Sequence, residues 1–577
     1  MTDLNYLKTH SRRDSLGDAV QKIYLAGFLI LAVTLAYYQV INGDYYRRRA
    51  ENNYVRLLPI RSLRGLIQDR RGEVLAHDKA AFNISVIPYQ IHNYRRFLFD
   101  ELSRLSGYSV EILEKNYKKN FNAHFAPVNL IENIDKSLAL EIKEALGDYV
   151  LINVQPQRDY PYGNSCSHIL GYVREGSSLP ENFKKYGYSP IERIGFLGIE
   201  QYYDTYLRGE DGGDLIEVDS LGKVVGYLGK RIPTKGKDIQ LTIDSRLQNV
   251  AHRVMEKERG VVILMDADTG AILTFYSSPS FDPNSFINKK GVDRILNDTS
   301  SPLLNRGIQA TYPTGSTFKP LLAVGALEEG KIKASTTFSC PGEYKIGSTV
   351  FRCAHIHWEE NLYEGLAHSC NVYFYNVGML LGAEDMSKWA KKFGLDSLTG
   401  IDLPYEKKGL VPGPEWKRNR LNQNWYPGDT LNLAIGQGFL NVTPLEILVA
   451  LNSIGNGGFL VKPYLLKKIG DTDSQSISKE YLGVSKNSLE SVKKGLWQAV
   501  HRSDGTARPL RRLNLGIYGK TGTAQTQGKS HGWFVGFFSR GQKKYSFCVF
   551  LEHGGSSYRA LQVTESFLGK ITSEDYL

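Results

Sequence analysis

The feature that most constrains this chain is a stretch of nineteen residues without a charge, Ile23–Ile41, close to the N-terminus. As an α-helix it would be about 28 Å long, which matches the hydrocarbon thickness of a bilayer. A cleaved signal peptide is the alternative interpretation. The 22 residues before the stretch contain three aspartates and no small-residue cleavage site follows it, so we expect a retained single-pass transmembrane helix over 23–41. Basic residues flank both ends, and charge alone does not decide the orientation.

The charge balance indicates which partners to expect. The net charge is +11 over 577 residues, and residues 1–71 account for +6 of it, with twelve Lys/Arg against six Asp/Glu. A basic stripe across the fold, as in nucleic-acid-binding proteins, is therefore not expected, whereas attraction to anionic lipid or to a polyanionic wall is. The length allows about three or four domains, and 42% hydrophobic residues indicate a globular chain.

The region 42–237 has the pattern of a mixed α/β domain. Arg64–Ala76 alternates apolar and polar residues around an Asp-Arg-Arg-Gly turn, which predicts a hairpin. Apolar residues recur three and four positions apart over 134–146, which predicts a helix. The Pro-Thr-Lys-Gly sequence at 233–236 is the predicted boundary with the next domain.

From about residue 238 the pattern becomes that of an α+β domain. A strand leads into an amphipathic helix, and residues 260–278 contain two apolar runs joined by Asp266–Gly270, a predicted hairpin. Strands at both ends of the domain with long helices between them predict a layered α+β fold. The other predicted strands cover 514–525, 532–539 and 544–553, and the predicted helices cover 319–330, 361–382 and 444–455.

The chain contains four Ser-x-x-Lys sequences, and their context separates them. Only Ser316 follows a Pro-Thr-Gly turn and opens an apolar helix, whose N-terminus is its positive end. Lys319 lies one turn on, and an ammonium desolvated there can lose its proton and act as a base toward the serine. An N-cap serine with a solvated lysine is the alternative. The four pairs are Ser220/Lys223, Ser316/Lys319, Ser476/Lys479 and Ser491/Lys494.

Two further motifs follow in order, Ser369-Cys370-Asn371 and Lys520-Thr521-Gly522-Thr523. With Ser316 and Lys319 they resemble the penicilloyl-serine transferase superfamily. Three longer stretches narrow the resemblance to one class within this superfamily: RGLIQDRRGEVLA, GFLGIEQYYDTYLRG and MDADTGAILTFYSSPSFDPN. The chain is similar to the class B penicillin-binding proteins, most of all to the elongation-type transpeptidases of rod-shaped bacteria.

The resemblance implies a domain organisation. We expect an α+β protein with a cytoplasmic tail at 1–22, one transmembrane helix at 23–41, and an elongated, mixed α/β, non-catalytic pedestal and head domain of the dimerisation type at 42–237. A penicilloyl-serine transferase domain with an antiparallel sheet and a helical subdomain follows at 238–577. The chain would be anchored in the inner membrane with this domain on the periplasmic side.

The resemblance also implies an activity: a serine-type peptidoglycan D,D-transpeptidase that cross-links stem peptides through an acyl-serine during elongation and that β-lactams acylate. The implied nucleophile is Ser316, with Lys319 as base, Ser369 and Asn371 hydrogen-bonding in the site, and Lys520 supplying positive potential. Thr521 and Thr523 would bind the terminal carboxylate, Gly522 would let the substrate backbone approach, and the backbone N–H groups of Ser316 and Thr523 would form the oxyanion hole.

Other functions and the expected partners follow from the same resemblance. A D,D-carboxypeptidase or a β-lactamase shares the three motifs and usually lacks so long a preceding domain, whereas a membrane-bound β-lactam sensor carries several membrane spans. The expected partners are peptidoglycan stem peptides, β-lactams, the membrane, a glycosyltransferase of the SEDS (shape, elongation, division and sporulation) family and a rod-shape scaffold. Nucleic acid is not an expected partner.

Three cysteines and a histidine in the stretch that ends in the second motif predict a metal site: Cys340, Cys353, His357 and Cys370. Intervals of twelve, three and twelve residues suit a structural zinc with three thiolates and one imidazole. A disulfide and buried free thiols are the alternatives, and His355 is the rival histidine. No cofactor is expected to be required for acyl transfer itself.

Overall fold

A long N-terminal helix precedes the folded part of the chain. The computed structural model describes residues 3–47, 55–121, 124, 127–176, 192–218, 224–473 and 477–577. Helix Asp3–Ala36 continues into a π-helical turn, Tyr37–Ile41, and the apolar span within them is Ala19–Ile41. In the described ranges this is the one helix long and apolar enough to cross a bilayer, and its window is not buried against the protein.

The N-terminal half contributes strands to three sheets. The hairpin predicted over 64–76 is confirmed, because Ile67–Gln68 pairs antiparallel with Val74–Val86, and the predicted helix is Lys136–Leu146. The other strands of this half are Val55–Ile60, Val128–Ile134, Leu151–Asp159, Tyr172–Gly176, Glu192–Phe196, Gly212–Val218 and Val224–Arg231. Its other helices are Pro88–Ile91, Arg95–Ser106, Val110–Asn120, Ser167–Leu170, Gly198–Tyr202 and Asp204–Leu207, with 3₁₀ turns at Gly147–Tyr149 and Gly163–Ser165.

One strand joins the two halves. Ile239–Leu241 pairs parallel with Ile67–Gln68 and antiparallel with Leu466–Ile469, so a single sheet contains strands from both sides of residue 237. The chain position of the domain boundary therefore stays a prediction.

The C-terminal half is built on a five-stranded antiparallel sheet. Its strands lie in the order Ile272–Ser278, Gly260–Asp266, Lys543–Leu551, His531–Arg540 and Tyr518–Ala524, which confirms the predicted hairpin and the three predicted C-terminal strands. Alternate residues face opposite sides: Phe534 packs with helices Ser245–Val254 and Ser557–Ser573, while Val535 packs in the core that contains Pro444–Gly455.

The prediction of a continuous helix over 361–382 is wrong. The structure has two helices, Leu362–Ala367 and Asn371–Leu381, separated by a turn in which Ser369 has a left-handed φ of 57°. The Cys370 thiol caps the second helix by accepting a hydrogen bond from the backbone N–H of Tyr373 (3.4 Å). Apolar residues continue across the break, and periodicity alone does not reveal it.

The remaining elements surround the sheet and the site. The strands are Phe338–Cys340, Glu343–Ile346, Thr349–Arg352, Trp358–Glu360, Phe459–Val461, Thr472–Asp473 and Lys479–Tyr481. The helices are Asn284–Asn288, Val292–Leu296, Lys319–Glu328, Ala383–Lys392, Pro414–Leu421, Pro427–Ala434 and Lys486–His501, with 3₁₀ turns at Gly315–Phe318 and Arg508–Leu513.

Candidate active site

Ser316 lies in the 3₁₀ turn that opens helix Lys319–Glu328, close to the predicted helix start. Gly315 before it has a φ of 54°, and a Cβ there would lie 2.7 Å from the carbonyl oxygen of Thr523. Glycine therefore lets the turn approach the end of the edge strand. Ser316 is half-buried and lines an open cleft of about 800 Å³. The Ser316 hydroxyl makes no hydrogen bond to any residue that the structure describes, so it is available to a ligand in the cleft.

Lys319 is buried directly behind this serine. Its Nζ donates to the carbonyl oxygen of Ser369 (2.7 Å), to Oδ1 of Asn371 (2.7 Å) and to Oγ of Ser369 (3.3 Å). Burial lowers the pKa of Lys319 to about 8, because the charged amine is desolvated. An amine with a pKa this close to neutral pH can serve as a proton acceptor.

The strand Tyr518–Ala524, here called the KTG strand, forms one wall of the cleft. Thr521 and Thr523 line the cleft, whereas Lys520 is fully buried behind it. Burial lowers the pKa of Lys520, and the positive charge of Lys319 lowers it further. The Thr521 hydroxyl donates to Oγ1 of Thr506 (3.1 Å), a cleft residue outside the predicted motifs.

The structure places Gly522 against the turn that carries the nucleophile, and its role toward the substrate backbone stays a prediction. A Cβ on Gly522 would lie 2.8 Å from Cγ2 of Thr317 and 2.9 Å from the carbonyl oxygen of Thr314. Its α-carbon therefore faces the turn that carries the nucleophile, and its small size lets the KTG strand pack against that turn.

The structure brings together the residues of all three motifs. Ser316, Ser369, Asn371, Thr521 and Thr523 line one cleft, with Lys319, Lys520 and Gly522 in the layer behind it. Sequence reasoning missed the cleft residues Thr506, Gln437 and His368, and of these only His368, which directly precedes Ser369, has a position in the sequence that could have indicated it.

Another Ser-x-x-Lys pair lies elsewhere. Ser491 and Lys494 are on helix Lys486–His501, and Nζ of Lys494 is 4.5 Å from the ring centre of Tyr363. Ser220, Lys223 and Ser476 lie outside the described residues.

The four predicted metal ligands meet behind the second motif. Their Sγ and imidazole nitrogen atoms all lie within 4.8 Å of one another. Nδ1 of His357 is 3.5 Å from Sγ of both Cys340 and Cys353, and Sγ of Cys353 is 4.0 Å from Sγ of Cys370. The thiols are free, so the predicted disulfide alternative is not what the structure shows, and His355 is not part of the group. Zinc–sulfur bonds of about 2.3 Å at tetrahedral angles need sulfur atoms about 3.8 Å apart, which fits this donor set.

The cysteine cluster contacts the catalytic motif directly. The backbone N–H of Asn371 donates to Sγ of Cys353 (3.2 Å), while the Asn371 side chain accepts from Lys319 on the other side. His357 also stacks on His368, with ring centres 5.6 Å apart and planes at 7°. An interaction that holds the Cys353 thiol in place therefore also restrains the backbone of Asn371.

An antiparallel sheet with Lys-Thr-Gly on its edge strand, beside a helix that begins with Ser-x-x-Lys and a Ser-x-Asn turn, defines a serine acyltransferase site of the penicilloyl-serine transferase type. Comparisons with known proteins agree. The penicillin binding protein transpeptidase domain family matches residues 260–573, and the penicillin-binding protein dimerisation domain family matches residues 59–241. The chain belongs to the class B penicillin-binding proteins.

Similar proteins cover most of the chain. The peptidoglycan D,D-transpeptidase MrdA of Haemophilus influenzae is 32% identical over 92% of this chain and 87% of its own. MrdA of Escherichia coli strain K12 is 32% identical over 86% and 82%. A solved complex of penicillin-binding protein PBP2 with MreC from Helicobacter pylori has a TM-score of 0.79 at 29% identity, covering 91% of this chain and 100% of that one. A structure from a peptidoglycan synthase complex has a TM-score of 0.72 at 29% identity, covering 96% and 97%.

Proposed function

We propose that this protein is a serine-type peptidoglycan D,D-transpeptidase that cross-links stem peptides during cell-wall elongation. The observation that carries the proposal is an accessible Ser316 hydroxyl together with a buried Lys319 amine. Hydrogen bonds to Ser369 and Asn371 hold this amine beside the cleft. The MrdA relatives carry the same activity in their names.

The reaction proceeds through an acyl-enzyme. Ser316 Oγ attacks the penultimate D-Ala carbonyl as Lys319 takes the serine proton, and the last D-Ala leaves with a proton relayed through Ser369. An amine of a neighbouring stem then attacks the ester, gives up a proton and restores the serine. Backbone N–H groups of Ser316 and Thr523 stabilise the oxyanion, and one such donor is worth about 3–4 kcal/mol of barrier.

The other side chains bind the donor peptide. Thr521 and Thr523 present hydroxyls to its terminal carboxylate from the cleft wall. Lys520 adds positive potential from behind in its protonated form, although burial and the charge of Lys319 lower its pKa. β-Lactams enter by the same route, since their ring amide stands in for the D-Ala–D-Ala bond, and they acylate Ser316.

The metal proposal concerns structure only. Cys340, Cys353, His357 and Cys370 would hold one zinc with four protein ligands and no open position, and the ion would supply no chemistry to acyl transfer. The contact from Asn371 N–H to Cys353 Sγ supports a positioning role, because it ties the cluster to a residue that holds Lys319.

The membrane and partner proposals rest on the N-terminal half. We place residues 1–22 in the cytoplasm, the span at 23–41 in the inner membrane, and the transpeptidase domain from about 238 onwards on the periplasmic side. The non-catalytic region 42–237 would bind a rod-shape scaffold and a SEDS-family glycosyltransferase. The solved PBP2–MreC complex and the peptidoglycan synthase complex support these partner classes.

The test uses the full-length chain with uncross-linked peptidoglycan strands as substrate. We expect cross-linked dimers from the wild type, none from Ser316→Ala, and wild-type yield from Ser491→Ala, which changes the serine of the Ser-x-x-Lys pair outside the cleft. Trimmed tetrapeptides without dimers would instead show a D,D-carboxypeptidase, and dimers formed by Ser316→Ala would contradict the proposed nucleophile.

A further inference from the structure

A second groove, here called the arginine groove, opens beside the active-site cleft. Its volume is about 990 Å³, and its wall includes the 3₁₀ turn Arg508–Leu513 and the start of helix Ser557–Ser573. The side chains that matter for binding are Arg502, Thr506, Arg508, Arg511, Arg512 and Tyr558.

The arginine groove is continuous with the cleft. Thr506 lines both, and its hydroxyl accepts the hydrogen bond from Thr521 on the KTG strand. Ser557 lines the cleft and the next residue, Tyr558, lines the groove. The cleft and the arginine groove therefore share a wall at Thr506, next to Thr521.

The groove carries net positive charge, because four arginines and one acidic residue, Glu565, line it. Asp504 neutralises Arg502, with Nε 2.8 Å from Oδ1. Arg508 donates only to the carbonyl oxygen of Ser503 (3.1 Å), and neither Arg511 nor Arg512 forms an ion pair within the described ranges.

The 3₁₀ turn places the three arginine side chains next to one another. Leu510 is 1% exposed and packs in the hydrophobic core between the five-stranded sheet and helix Ser557–Ser573, so it holds the turn in place. In a 3₁₀ turn, residues three apart lie on the same side, so Arg508 and Arg511 project together, with Arg512 next to them. All three are exposed, and the guanidinium groups of Arg511 and Arg512 can bind a planar anion bidentately.

We propose that the arginine groove is a subsite for the carboxylates of the acceptor stem peptide, whose amine would reach the acyl-serine from the side that the donor's last D-Ala vacates. The proposal rests on the proposed function and deepens it. A stem peptide with free side-chain or α-carboxylates offers several planar anions on an extended chain, and the groove offers arginines along a continuation of the cleft. Penicillin is too short to occupy both sites, so the groove discriminates between the natural substrate and the inhibitor.

The test compares two doubly substituted full-length chains. Arg511→Gln/Arg512→Gln removes two charges from the groove. Lys486→Gln/Lys543→Gln removes two charges from exposed positions of the same half, neither of which lines the groove. For each protein, cross-linking of strands with free stem carboxylates and acylation by fluorescent penicillin are measured.

We expect the ratio of cross-linking to penicillin acylation to fall about five- to tenfold in the arginine variant and to stay at the wild-type value in the lysine variant. Arg511→Lys/Arg512→Lys should restore most of the ratio, since the charge is kept. With amidated stem carboxylates the arginine variant and the wild type should become equal. The loss should fall on capture of the acyl-enzyme by the acceptor amine, with D-Ala release at the wild-type rate.

Four outcomes would overturn the proposal: slower D-Ala release, an unchanged ratio in the arginine variant, an equal fall in the lysine variant, or a fall that persists with amidated strands. The last would point to another anion, such as a lipid headgroup. Failure of the proposed function is distinguishable, because the wild type itself would then produce no cross-links.

Discussion

The turn Ser369–Asn371, here called the Ser-x-Asn turn, has two sides that are built differently. On its front, Ser316 and Ser369 are half-buried, line the cleft and face a buried amine. On its back, Cys340 and Cys370 are completely buried beside a histidine, among atoms spaced as metal ligands. The front offers groups that make and break bonds, whereas the back offers groups that hold a backbone in place. Substitutions on the front should therefore remove chemistry at constant stability, and those on the back should change both.

The largest effect should come from Lys319→Ala. Removing the proton acceptor should slow penicillin acylation by about 10²–10⁴-fold and affect initial, non-covalent binding much less, since the base acts in the chemical step. Stopped-flow acylation separates the two constants. Lys494→Ala, in the Ser-x-x-Lys pair on helix Lys486–His501, is the matched control. Equal losses in both constants would make Lys319 a structural residue.

Cys353→Ser tests the back of the turn. We expect the wild type to contain about one zinc per chain by metal analysis, the variant to contain none, and acylation to fall about 10–100-fold. The thermal midpoint should fall as well. Cys166→Ala, a buried cysteine outside the cluster, should keep the metal. Wild-type protein free of metal would contradict the metal site on the back of the turn. A Cys353→Ser variant with full acylation would contradict its positioning role.

The pH dependence sharpens the description of the front. Burial lowers the pKa of Lys319 to about 8, so the amine is mostly protonated at pH 7 and mostly neutral at pH 9. The acylation rate constant should therefore rise about tenfold between pH 7 and 9 and then level off. Rate constants measured across this range with a pH-stable β-lactam check it. A rate constant that falls as pH rises would mean that the protonated amine is the active form.

Gly522→Ala tests how the KTG strand meets the nucleophile turn. The new methyl group would clash with Thr317 and with backbone at Thr314, so we expect a loss of about 1–3 kcal/mol in unfolding free energy and slower acylation. Gly528→Ala, where a Cβ meets nothing within 4 Å, should change neither. An unfolding free energy equal to that of wild type would show that the strand is free to move away.

Sequence reasoning identified more of the residues on the front of the Ser-x-Asn turn than of the residues around it. The helix start at Ser316 and Lys319 and the KTG strand were predictable because glycine, proline and strand alternation leave marks at fixed spacings. The catalytic roles of these residues came from the resemblance to the penicilloyl-serine transferases and stay predictions. The break at Ser369 was not, because the left-handed φ of Ser369 and the capping of the next helix by the Cys370 thiol interrupt a helix whose apolar pattern continues. Arg511 and Arg512 were also missed, since surface arginines acquire meaning only when a groove lies beside them.

The most direct test of the account is to map the acyl-enzyme itself. The full-length chain is incubated with penicillin and digested, and the modified peptides are sequenced by mass spectrometry. The account predicts one penicilloyl group per chain, on Ser316, in the wild type, and none in Ser316→Ala. A penicilloyl group on Ser369 or Ser491, or adducts that persist in Ser316→Ala, would contradict it.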